Sequence, residues 1–259
     1  MIRFRSLGSG SAGNATLVEA SSGITTTRLL VDAGFSLREL ELRLARAALG
    51  FADLDAIFVT HEHGDHIGCA VALSVRHGLP LWMSRGTWRA IAEPIAPPGL
   101  RFARDDEAIA VGDLELLPFT VAHDAAEPLQ LRCSDGSASV VVLTDLGSIT
   151  PHMLEHVAGC DALLLECNHD AGMLAASRYP PSLKARIGGR FGHLNNATAA
   201  EILARCMGPR LRHVVAAHLS RENNHPDLVR AALAACWSGD GREVVVAHPA
   251  QGFDWLDVG

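Results

Sequence analysis

The sequence predicts an ordered α/β domain, and three observations support this fold class. Apolar residues make up 48% of the 259-residue chain, and no long polar tract interrupts them. Strand-like and helix-like segments alternate along the whole chain. Several short apolar runs end in a histidine or an aspartate, as strands of α/β sheets do where they present ligand-binding groups. A chain of this length can form one large domain with a substantial core, so we predict a single domain over residues 1–259.

A glycine-rich turn precedes the first clear strand. The stretch "GSGSAGN" (8–14) satisfies the G-x-G-x-x-G pattern of dinucleotide-binding proteins, which requires a strand before it and a helix after it. Here the strand-like runs "ATLVEA" (15–20) and "TRLLVDAG" (27–34) follow instead. The pattern therefore predicts a turn between two strands, close to the active site, and excludes a Rossmann-type cofactor site.

Four segments have the pattern of helices. The first, residues 36–50, is amphipathic, with a capping box formed by Ser36 and Glu39 and with Gly50 at its end. The others are 67–77, which ends before Gly78, 197–208, which Asn196 can cap, and 226–236, which Pro226 opens.

Six apolar runs end in a potential ligand. Continuous apolar runs of this length are typical of strands that are covered on both faces. In α/β sheets the carboxyl ends of such strands carry the binding groups, so we expect these side chains to converge. The six ends are "AIFVT" at His61, "FTVA" at His123, "VVVLT" at Asp145, "ALLLECN" at His169, "HVVAA" at His218 and "EVVVA" at His248.

The motif "THEHGDH" (60–66) predicts a metal centre. It is not H-E-x-x-H, because Asp65 stands where the second histidine of that motif would be. Instead, His61 and His63 can form one subsite, and Asp65 and His66 a second one. Neither pair is sufficient to hold an ion, so later residues must complete both subsites.

Three strand ends can complete these subsites. His123 can complete the first and His218 the second, with His248 as the alternative to His218, while Asp145 can bridge two ions with one oxygen on each. Nitrogen and oxygen ligands without cysteine suit Zn²⁺, Mn²⁺ or Fe²⁺, and the sequence does not distinguish among them.

With these residues in place, the chain resembles a known family. "THEHGDH" resembles the H-x-H-x-D-H signature of the metallo-β-lactamase fold hydrolases, and His123, Asp145 and His218 follow in the order that this family requires. Four longer stretches resemble the YycJ/WalJ branch of bacterial proteins: "LGSGSAGNAT", "LECNHDAGML", "YPPSLKARIGGRFGHLNN" and "AHLSRENN". One position departs from this branch, since Asn195 stands where the branch usually has serine.

The resemblance implies a fold and an activity. The fold is a four-layer αββα sandwich with two divalent metal ions, Zn²⁺ or Mn²⁺ with Fe²⁺ also allowed, at one edge. The activity is that of an exonuclease that degrades DNA from the 5′ end. A hydroxide that bridges two divalent ions is a nucleophile at neutral pH, and the ions stabilise the attacking and the leaving oxygens of a phosphodiester.

Further residues have predicted roles in this reaction. Asp65 binds one metal and orients the hydroxide. His169 and His193 are candidates for the acid that protonates the leaving oxygen, or for holding the phosphate. Asn168, Ser220 and Asn223 are candidates for hydrogen bonds to phosphate oxygens, and Glu166 can orient a liganding imidazole.

Charge limits the ways in which the chain could bind a polyanion. The net charge is −7, so a non-specific nucleic-acid coat is excluded and a DNA substrate must meet a local basic patch. The segment "SRYPPSLKARIGGR" (177–190) is that patch: it has no acidic residue and contains Lys184, the only lysine of the chain, and Arg186.

Several features bear on location and on other functions. The six cysteines are scattered singly and predict small core residues in a reducing compartment, and no leader or membrane segment is visible, so the cytoplasm is expected. No protein partner can be deduced.

Two alternative functions are open. One is the hydrolysis of a small thioester, lactone or cyclic phosphodiester on the same fold. The other is a non-catalytic scaffold, which predicts that some ligand positions have been lost, whereas all of them are filled here. His152 and His156, four residues apart in a predicted helix, could bind metal but are interpreted as part of a solvated helix face.

Overall fold

Two seven-stranded sheets form the centre of the molecule. The computed structural model describes residues 1–91, 95–237 and 243–259. The first sheet has the order β14-β1-β2-β3-β4-β5-β6 and consists of β1 (Ile2–Gly8), β2 (Ala15–Ser21), β3 (Thr26–Val31), β4 (Ala56–Phe58), β5 (Leu81–Met83), β6 (Leu100–Phe102) and β14 (Phe253–Asp257). The second sheet has the order β13-β12-β11-β10-β9-β8-β7 and consists of β7 (Ile109–Val111), β8 (Leu114–Thr120), β9 (Leu129–Ser134), β10 (Ser139–Leu143), β11 (Ala162–Glu166), β12 (His213–Ala217) and β13 (Val245–Val246).

Helices lie between these strands along the chain. In the described ranges they are α1 (Leu37–Arg46), α2 (Gly64–Ile67), α3 (Ala70–His77), α4 (Arg85–Ala90), α5 (Pro151–Val157), α6 (Ala171–Ala176), α7 (Pro181–Ile187), α8 (Asn196–Cys206) and α9 (Pro226–Ala234). None of them has the length and apolar character that crossing a bilayer would require.

Three layers of apolar packing hold the sheets and helices together. The middle layer joins the two sheets, with Phe4 of β1 and Leu131 of β9 in the same buried cluster. A second cluster packs α1 and α3 on the outer face of the first sheet. A third packs α5, α8 and α9 on the outer face of the second sheet. The predicted four-layer αββα sandwich is therefore confirmed, and the shared middle layer makes the two sheets one domain.

Strand directions bring the predicted ligands to one edge. β3 and β4 are parallel, and so are β10, β11 and β12. β8 is antiparallel to β9, which is antiparallel to β10, so β8 and β10 run in the same direction. The segments that follow these strands thus leave the sheets at their carboxyl ends, where α/β folds bind ligands. We call this edge the site edge.

The first helix is shorter than its pattern predicts. It ends at Arg46 instead of reaching Gly50, because the chain turns at Ala48, which has a left-handed φ of 57°. Ser36 caps the helix by accepting a hydrogen bond from the Glu39 N–H, as predicted. The other half of the capping box is absent, since the Glu39 carboxylate instead accepts a hydrogen bond from Arg43 at 2.8 Å.

The helix predicted over 67–77 is in fact two helices separated by Gly68. A side chain on Gly68 would place its Cβ 2.3 Å from the Ala33 carbonyl oxygen, and Gly68 has a φ of 34°. This close approach lets the Ala33 N–H donate to the His66 carbonyl at 2.9 Å. The break therefore places the "THEHGDH" loop against the end of β3.

The last two helices are also close to their predicted ranges. α9 ends two residues before its predicted end, and α8 begins with Asn195, not Asn196, as its N-cap. The Asn195 side chain accepts a hydrogen bond from the Thr198 N–H at 2.9 Å. Asparagine and serine are both strong N-cap residues, which explains why asparagine can replace the usual serine at this position. Five of the six cysteines are buried, as predicted for core residues.

Candidate metal centre

Three histidines from two loops form the first group at the site edge. His61 and His63 follow β4, and His123 follows β8. Their ring centroids lie 4.6–5.0 Å apart, and His123 Nε2 is 3.2 Å from His63 Nδ1. These three residues thus come together as the sequence predicts.

Asp65, His66 and His218 form the second group. Asp65 Oδ2 lies 3.3 Å from His218 Nε2 and 3.6 Å from His66 Nε2. Each of the three offers a ligand atom, and these atoms all lie within 4.8 Å of one another. A single cation at their centre could therefore contact all three.

Asp145 lies between the two groups. Its Oδ2 is 2.9 Å from His66 Nε2, and its Oδ1 is 3.5 Å from His218 Nδ1. Asp145 also forms a compact set with His61 of the first group and His66 of the second. This position suits a carboxylate that would contact cations held by either group.

The outer nitrogens of four histidines are held by neighbouring groups. Such contacts fix the tautomer and the orientation of liganding imidazoles and turn the other nitrogen toward the metal. The contacts are His61 Nδ1 to Thr60 Oγ1 (3.0 Å), His66 Nδ1 to Asp32 Oδ2 (2.7 Å), His123 Nδ1 to the Gly192 carbonyl oxygen (3.1 Å) and His218 Nδ1 to Glu166 Oε1 (3.1 Å). The inner atom His61 Nε2 is buried and has no hydrogen-bond partner among the described residues, which fits a nitrogen meant for a cation.

The charges of the cluster also fit cations. Burial lowers the pKa of His218, but the surrounding carboxylates, Asp145 above all, outweigh burial and raise it to about 10. Burial raises the pKa of Asp145, but His218 and His66 outweigh burial and hold it well below its ordinary value. The buried carboxylate of Asp145 therefore keeps its charge, while His218 and His66, whose pKa is also raised by Asp145 and Asp32 despite burial, hold protons. Divalent ions bound there would replace those protons.

Glu166 connects the second metal group to His193. Glu166 Oε1 lies 3.1 Å from His218 Nδ1 and 2.8 Å from His193 Nδ1, while Oε2 accepts hydrogen bonds from the backbone of Leu146 and Leu194. The predicted contact between Glu166 and an imidazole is thus present. The ring of His193 is 5.3 Å from those of His123 and His218, so His193 lies beside both metal groups.

Other candidates from the sequence lie near this centre but in different surroundings. His169 is 2% exposed and belongs to neither metal group, and its Nδ1 has no hydrogen-bond partner among the described residues. The Asn168 amide donates to the His218 carbonyl at 3.0 Å, and the fully buried Asn223 contacts Ser220. The predicted contacts of these four residues with substrate stay predictions. Both asparagines are buried and hydrogen-bonded to the loop that follows β12 and carries His218, which suits them to positioning that loop.

The basic segment, residues 177–190, lies beside the metal centre. Arg186 Nε is 2.6 Å from Asp124 Oδ2, and Asp124 Oδ1 is 3.5 Å from His123 Nε2. The Lys184 ammonium group donates to the Ala175 carbonyl at 2.6 Å. Next along the chain, the ring of Phe191 is 53% exposed.

A close backbone contact fixes this segment against the bridging aspartate. A Cβ on Gly147, two residues after Asp145, would lie 2.4 Å from Gly192 N and 2.5 Å from the Arg190 carbonyl oxygen. Only glycine allows the Asp145 loop and the loop before His193 to approach so closely.

Sequence reasoning missed several residues that support the centre. Asp32 follows β3 at the same edge, in the quoted run "TRLLVDAG", and the strand-end pattern could have identified it. The Asn14 amide lies 3.0 Å from His66 Nε2, and Ser9 Oγ accepts a hydrogen bond from the His218 N–H. The glycine-rich turn is therefore close to the site, as predicted. His248, the alternative to His218, instead accepts hydrogen bonds from Ala250 and Gln251 in its own turn.

Comparison with known sequences gives matches over most of the chain. The model of the beta-lactamase superfamily domain matches residues 27–218. The chain is 35% identical over 236 residues to "Exodeoxyribonuclease YycJ" of Bacillus anthracis, covering 90% of this chain and 88% of that one. It is 34% identical over 236 residues to "Exodeoxyribonuclease WalJ" of Streptococcus pneumoniae, covering 89% and 86%.

Comparison with solved structures gives the same fold. The metallo-beta-lactamase fold protein YhfI from Bacillus subtilis superposes with a TM-score of 0.74 and 20% sequence identity, over 99% of this chain and 100% of that one. At this identity the likeness concerns the fold alone.

Proposed function

Because the chain belongs to the beta-lactamase superfamily and, within it, to the family of YycJ and WalJ, we propose that it is a metal-dependent exonuclease that degrades DNA from the 5′ end. Its metallo-hydrolase character follows from the family and from the clustered histidines and aspartates. The DNA substrate, the polarity of cleavage and the bridging of two ions by Asp145 are parts of the proposal.

The contact between the basic segment and the metal centre carries the proposal of a phosphodiester substrate. Arg186 is 64% exposed and is linked through Asp124 to the first metal group. A phosphodiester chain that lies along the basic side chains of residues 177–190 would bring one of its phosphates to the metal ligands. The reacting group of a thioester or a lactone is neutral and offers such basic side chains no charge to bind.

The chain's own residues divide the work of hydrolysis. When bound, two divalent ions lower the pKa of a water molecule and offset the charge that develops on a phosphodiester. Asp65 lies between His66 and His218 with one side open to solvent, since its side chain is 23% exposed, and it can orient the attacking water. Asp145 is positioned to hold the two ions at a fixed separation.

His193 is the better placed of the two candidate acids. Its Nδ1 is bound by Glu166, which leaves Nε2 to donate a proton to the leaving oxygen. The side chain is 23% exposed and thus accessible to substrate, whereas His169 is almost completely buried. We therefore assign the proton donation to His193 and a positioning role to His169.

The proposal is tested with purified protein whose metal content has been measured. The substrates are end-labelled single-stranded and double-stranded DNA with a label at either end, matched RNA, and a panel of thioesters and lactones. The expected result is metal-dependent release of nucleotides from the 5′ end of DNA, which stops when the metal is chelated. Turnover of the thioesters without turnover of DNA would contradict the proposal.

The variant Asp145→Ala tests the bridging carboxylate. We expect kcat/KM to fall by about 10³-fold or more, because the two ions would lose their shared ligand. Circular dichroism and thermal unfolding verify that the fold is kept. The matched control is Asp227→Ala, whose side chain is 78% exposed on α9. Full turnover by the Asp145 variant would refute the bridging role.

A further inference from the structure

The structure gathers another set of histidines and carboxylates beside β8, none of which belongs to the groups of the metal centre. Asp105 and Asp106 lie in the loop between β6 and β7, and His152 and His156 are four residues apart on α5. His152 Nε2 is 2.9 Å from Asp105 Oδ1, and His156 Nε2 is 3.0 Å from Asp106 Oδ1. We call these four residues the outer cluster.

The two histidines of the outer cluster are arranged much as His61 and His63 are in the metal centre. The rings of His152 and His156 are 4.7 Å apart with an angle of 77° between their planes. The corresponding values for His61 and His63 are 4.6 Å and 79°. One ligand atom from each of Asp106, His152 and His156 lies within 4.8 Å of the others, as in the two groups of the metal centre.

His156 is buried and presents its Nε2 atom to Asp106. Its side chain is 8% exposed, which corrects the interpretation of a solvated helix face. The ring stacks on Phe119 of β8, with centroids 4.6 Å apart and an angle of 3° between the planes.

The local charge favours a cation. Asp105, Asp106 and Glu155 all act electrostatically on His152. The positive charge of Arg132 also reaches His156. However, the Arg132 guanidinium donates to the carbonyls of His156 and Ala158 at 2.9 Å, so it is bound to the backbone and not to the carboxylates of the cluster. The side chain of Asp106 is 61% exposed, so an ion has a route from solvent.

We propose that Asp106, His152 and His156 form a further divalent-cation site, separate from the metal centre. Two imidazole nitrogens and one carboxylate suit Zn²⁺ or a similar transition-metal ion, with the remaining position open to water. Asp105, which contacts His152 Nε2, would either orient the His152 ring or take the ligand position that is otherwise open to water. An ion here would join the β6–β7 loop to α5.

This site would stiffen a strand that leads to the metal centre. Asp105 Oδ1 also accepts a hydrogen bond from the Thr120 N–H, three residues before His123. α5, in turn, begins six residues after Asp145. The expected role is therefore structural, since the ion would tie together the segments that carry two of the predicted ligands. The proposal does not depend on the substrate of the protein.

The experiment counts bound zinc in the complete protein. Equilibrium dialysis against buffered Zn²⁺, followed by elemental analysis, gives the number of ions per chain for the wild type and for His152→Ala. His152 is 32% exposed, so its truncation leaves the core intact. The expected result is one bound ion fewer in His152→Ala and in Asp106→Asn, and no loss in the control His77→Ala, on α3.

Two further measurements keep the test independent of the metal centre. With Co²⁺ in place of Zn²⁺, the visible absorption of the extra ion should disappear in His152→Ala while the absorption of the centre remains. Added Zn²⁺ should raise the Tm of Asp145→Ala more than the Tm of Asp145→Ala with His152→Ala. Equal zinc content in the wild type and His152→Ala would overturn the proposal, whatever the fate of the nuclease assay.

Discussion

Asp32 Oδ2 accepts a hydrogen bond from His66 Nδ1 at 2.7 Å, and both side chains are buried. The same carboxylate accepts from the backbone and the hydroxyl of Thr60, which lies 3.0 Å from His61 Nδ1. One acid therefore orients an imidazole in each metal group. Asp32 belongs to neither metal group and would influence bound ions through the histidines that it orients.

Replacement of Asp32 by alanine should weaken metal binding. Loss of such a partner typically costs about 10–100-fold in metal affinity, because the ring is free to rotate and its basicity falls. Metal affinity is measured by competition with a chelator, for Asp32→Ala, for Asp32→Asn and for the exposed control Asp227→Ala. Asp32→Asn keeps an acceptor and should lose less. Unchanged affinity in Asp32→Ala would show that this contact does not control the ligand.

Replacement of His193 should slow the reaction without weakening binding. A positioned general acid contributes about 10²–10⁴-fold, so kcat for DNA should fall by this factor in His193→Ala while KM changes little. A thymidine 5′-phosphate ester with a p-nitrophenolate leaving group needs no proton, so the variant should keep most of its activity on that ester. Equal losses on both substrates would exclude His193 as the acid. His169→Ala is the comparison, since a positioning role predicts no difference between the two substrates.

The double variant Lys184→Ala, Arg186→Ala should bind DNA less tightly and with a flatter dependence on salt. Each phosphate contact that is lost lowers the slope of log K against log salt by about 0.7–0.9. The binding of labelled single-stranded DNA is measured by fluorescence anisotropy at several salt concentrations with an exonuclease-inactive Asp145→Ala background. Arg104→Ala, an exposed arginine on the β6–β7 loop, is the control. An unchanged slope would remove the basic segment from the substrate path.

Phe191 should support an unpaired base near the metal centre. Its ring is 53% exposed, its carbonyl accepts from the Asp124 N–H, and the Arg190 guanidinium is 5.5 Å from the ring. Stacking of a base on an aromatic ring contributes about 1–3 kcal/mol, so Phe191→Ala should raise KM for single-stranded DNA by about 5–150-fold. Phe191→Trp should restore it. A substrate with an abasic nucleotide at its end offers no base to stack, so its KM should be equally high for the wild type, Phe191→Ala and Phe191→Trp. A higher KM of Phe191→Ala than of the wild type on this abasic substrate would contradict stacking.

The convergence of the candidate ligands could be predicted because their signal is local. His61, Asp145 and His218 each follow a buried apolar run, and strand direction alone then brings them to one edge. Asp32 follows a strand in the same way, so the pattern could have identified its position, but not that its carboxylate contacts His66 instead of a cation. The helix limits depended on the close backbone approach at Gly68 and on the left-handed backbone of Ala48, which sequence spacing does not reveal.

Other properties depend on residues that are distant in sequence. The burial of His156 comes from Phe119 on another element, so the spacing of His152 and His156 gave only helical periodicity. The Arg186 guanidinium is adjacent to the centre because of Asp124, 62 residues earlier in the chain. Periodicity predicts which residues share a face, but it contains no information on what packs against that face.

The pair Asp161 and Arg210 should contribute stability that acid removes. Asp161 Oδ2 accepts hydrogen bonds from the Ser139 N–H and from Arg210, both at 2.9 Å. Burial raises the pKa of Asp161, but these partners outweigh burial and lower it below its ordinary value of 3.8. Because the folded-state pKa is the lower one, the contribution is fully present above pH 3.8 and disappears as the pH falls through the folded value.

The measurement is thermal unfolding of the wild type and of Asp161→Asn between pH 3 and pH 7. At pH 7 the variant should lose about 1 kcal/mol, or about 2–4 °C in Tm. The difference between the two proteins should shrink toward the acid end, because protonation removes the same charge from the wild type that the substitution removes. The Asp227→Asn control, with a side chain 78% exposed, should follow the wild type throughout. A difference in Tm that does not change with pH would mean that the charge of Asp161 contributes nothing and that the loss comes from the altered hydrogen bonds alone.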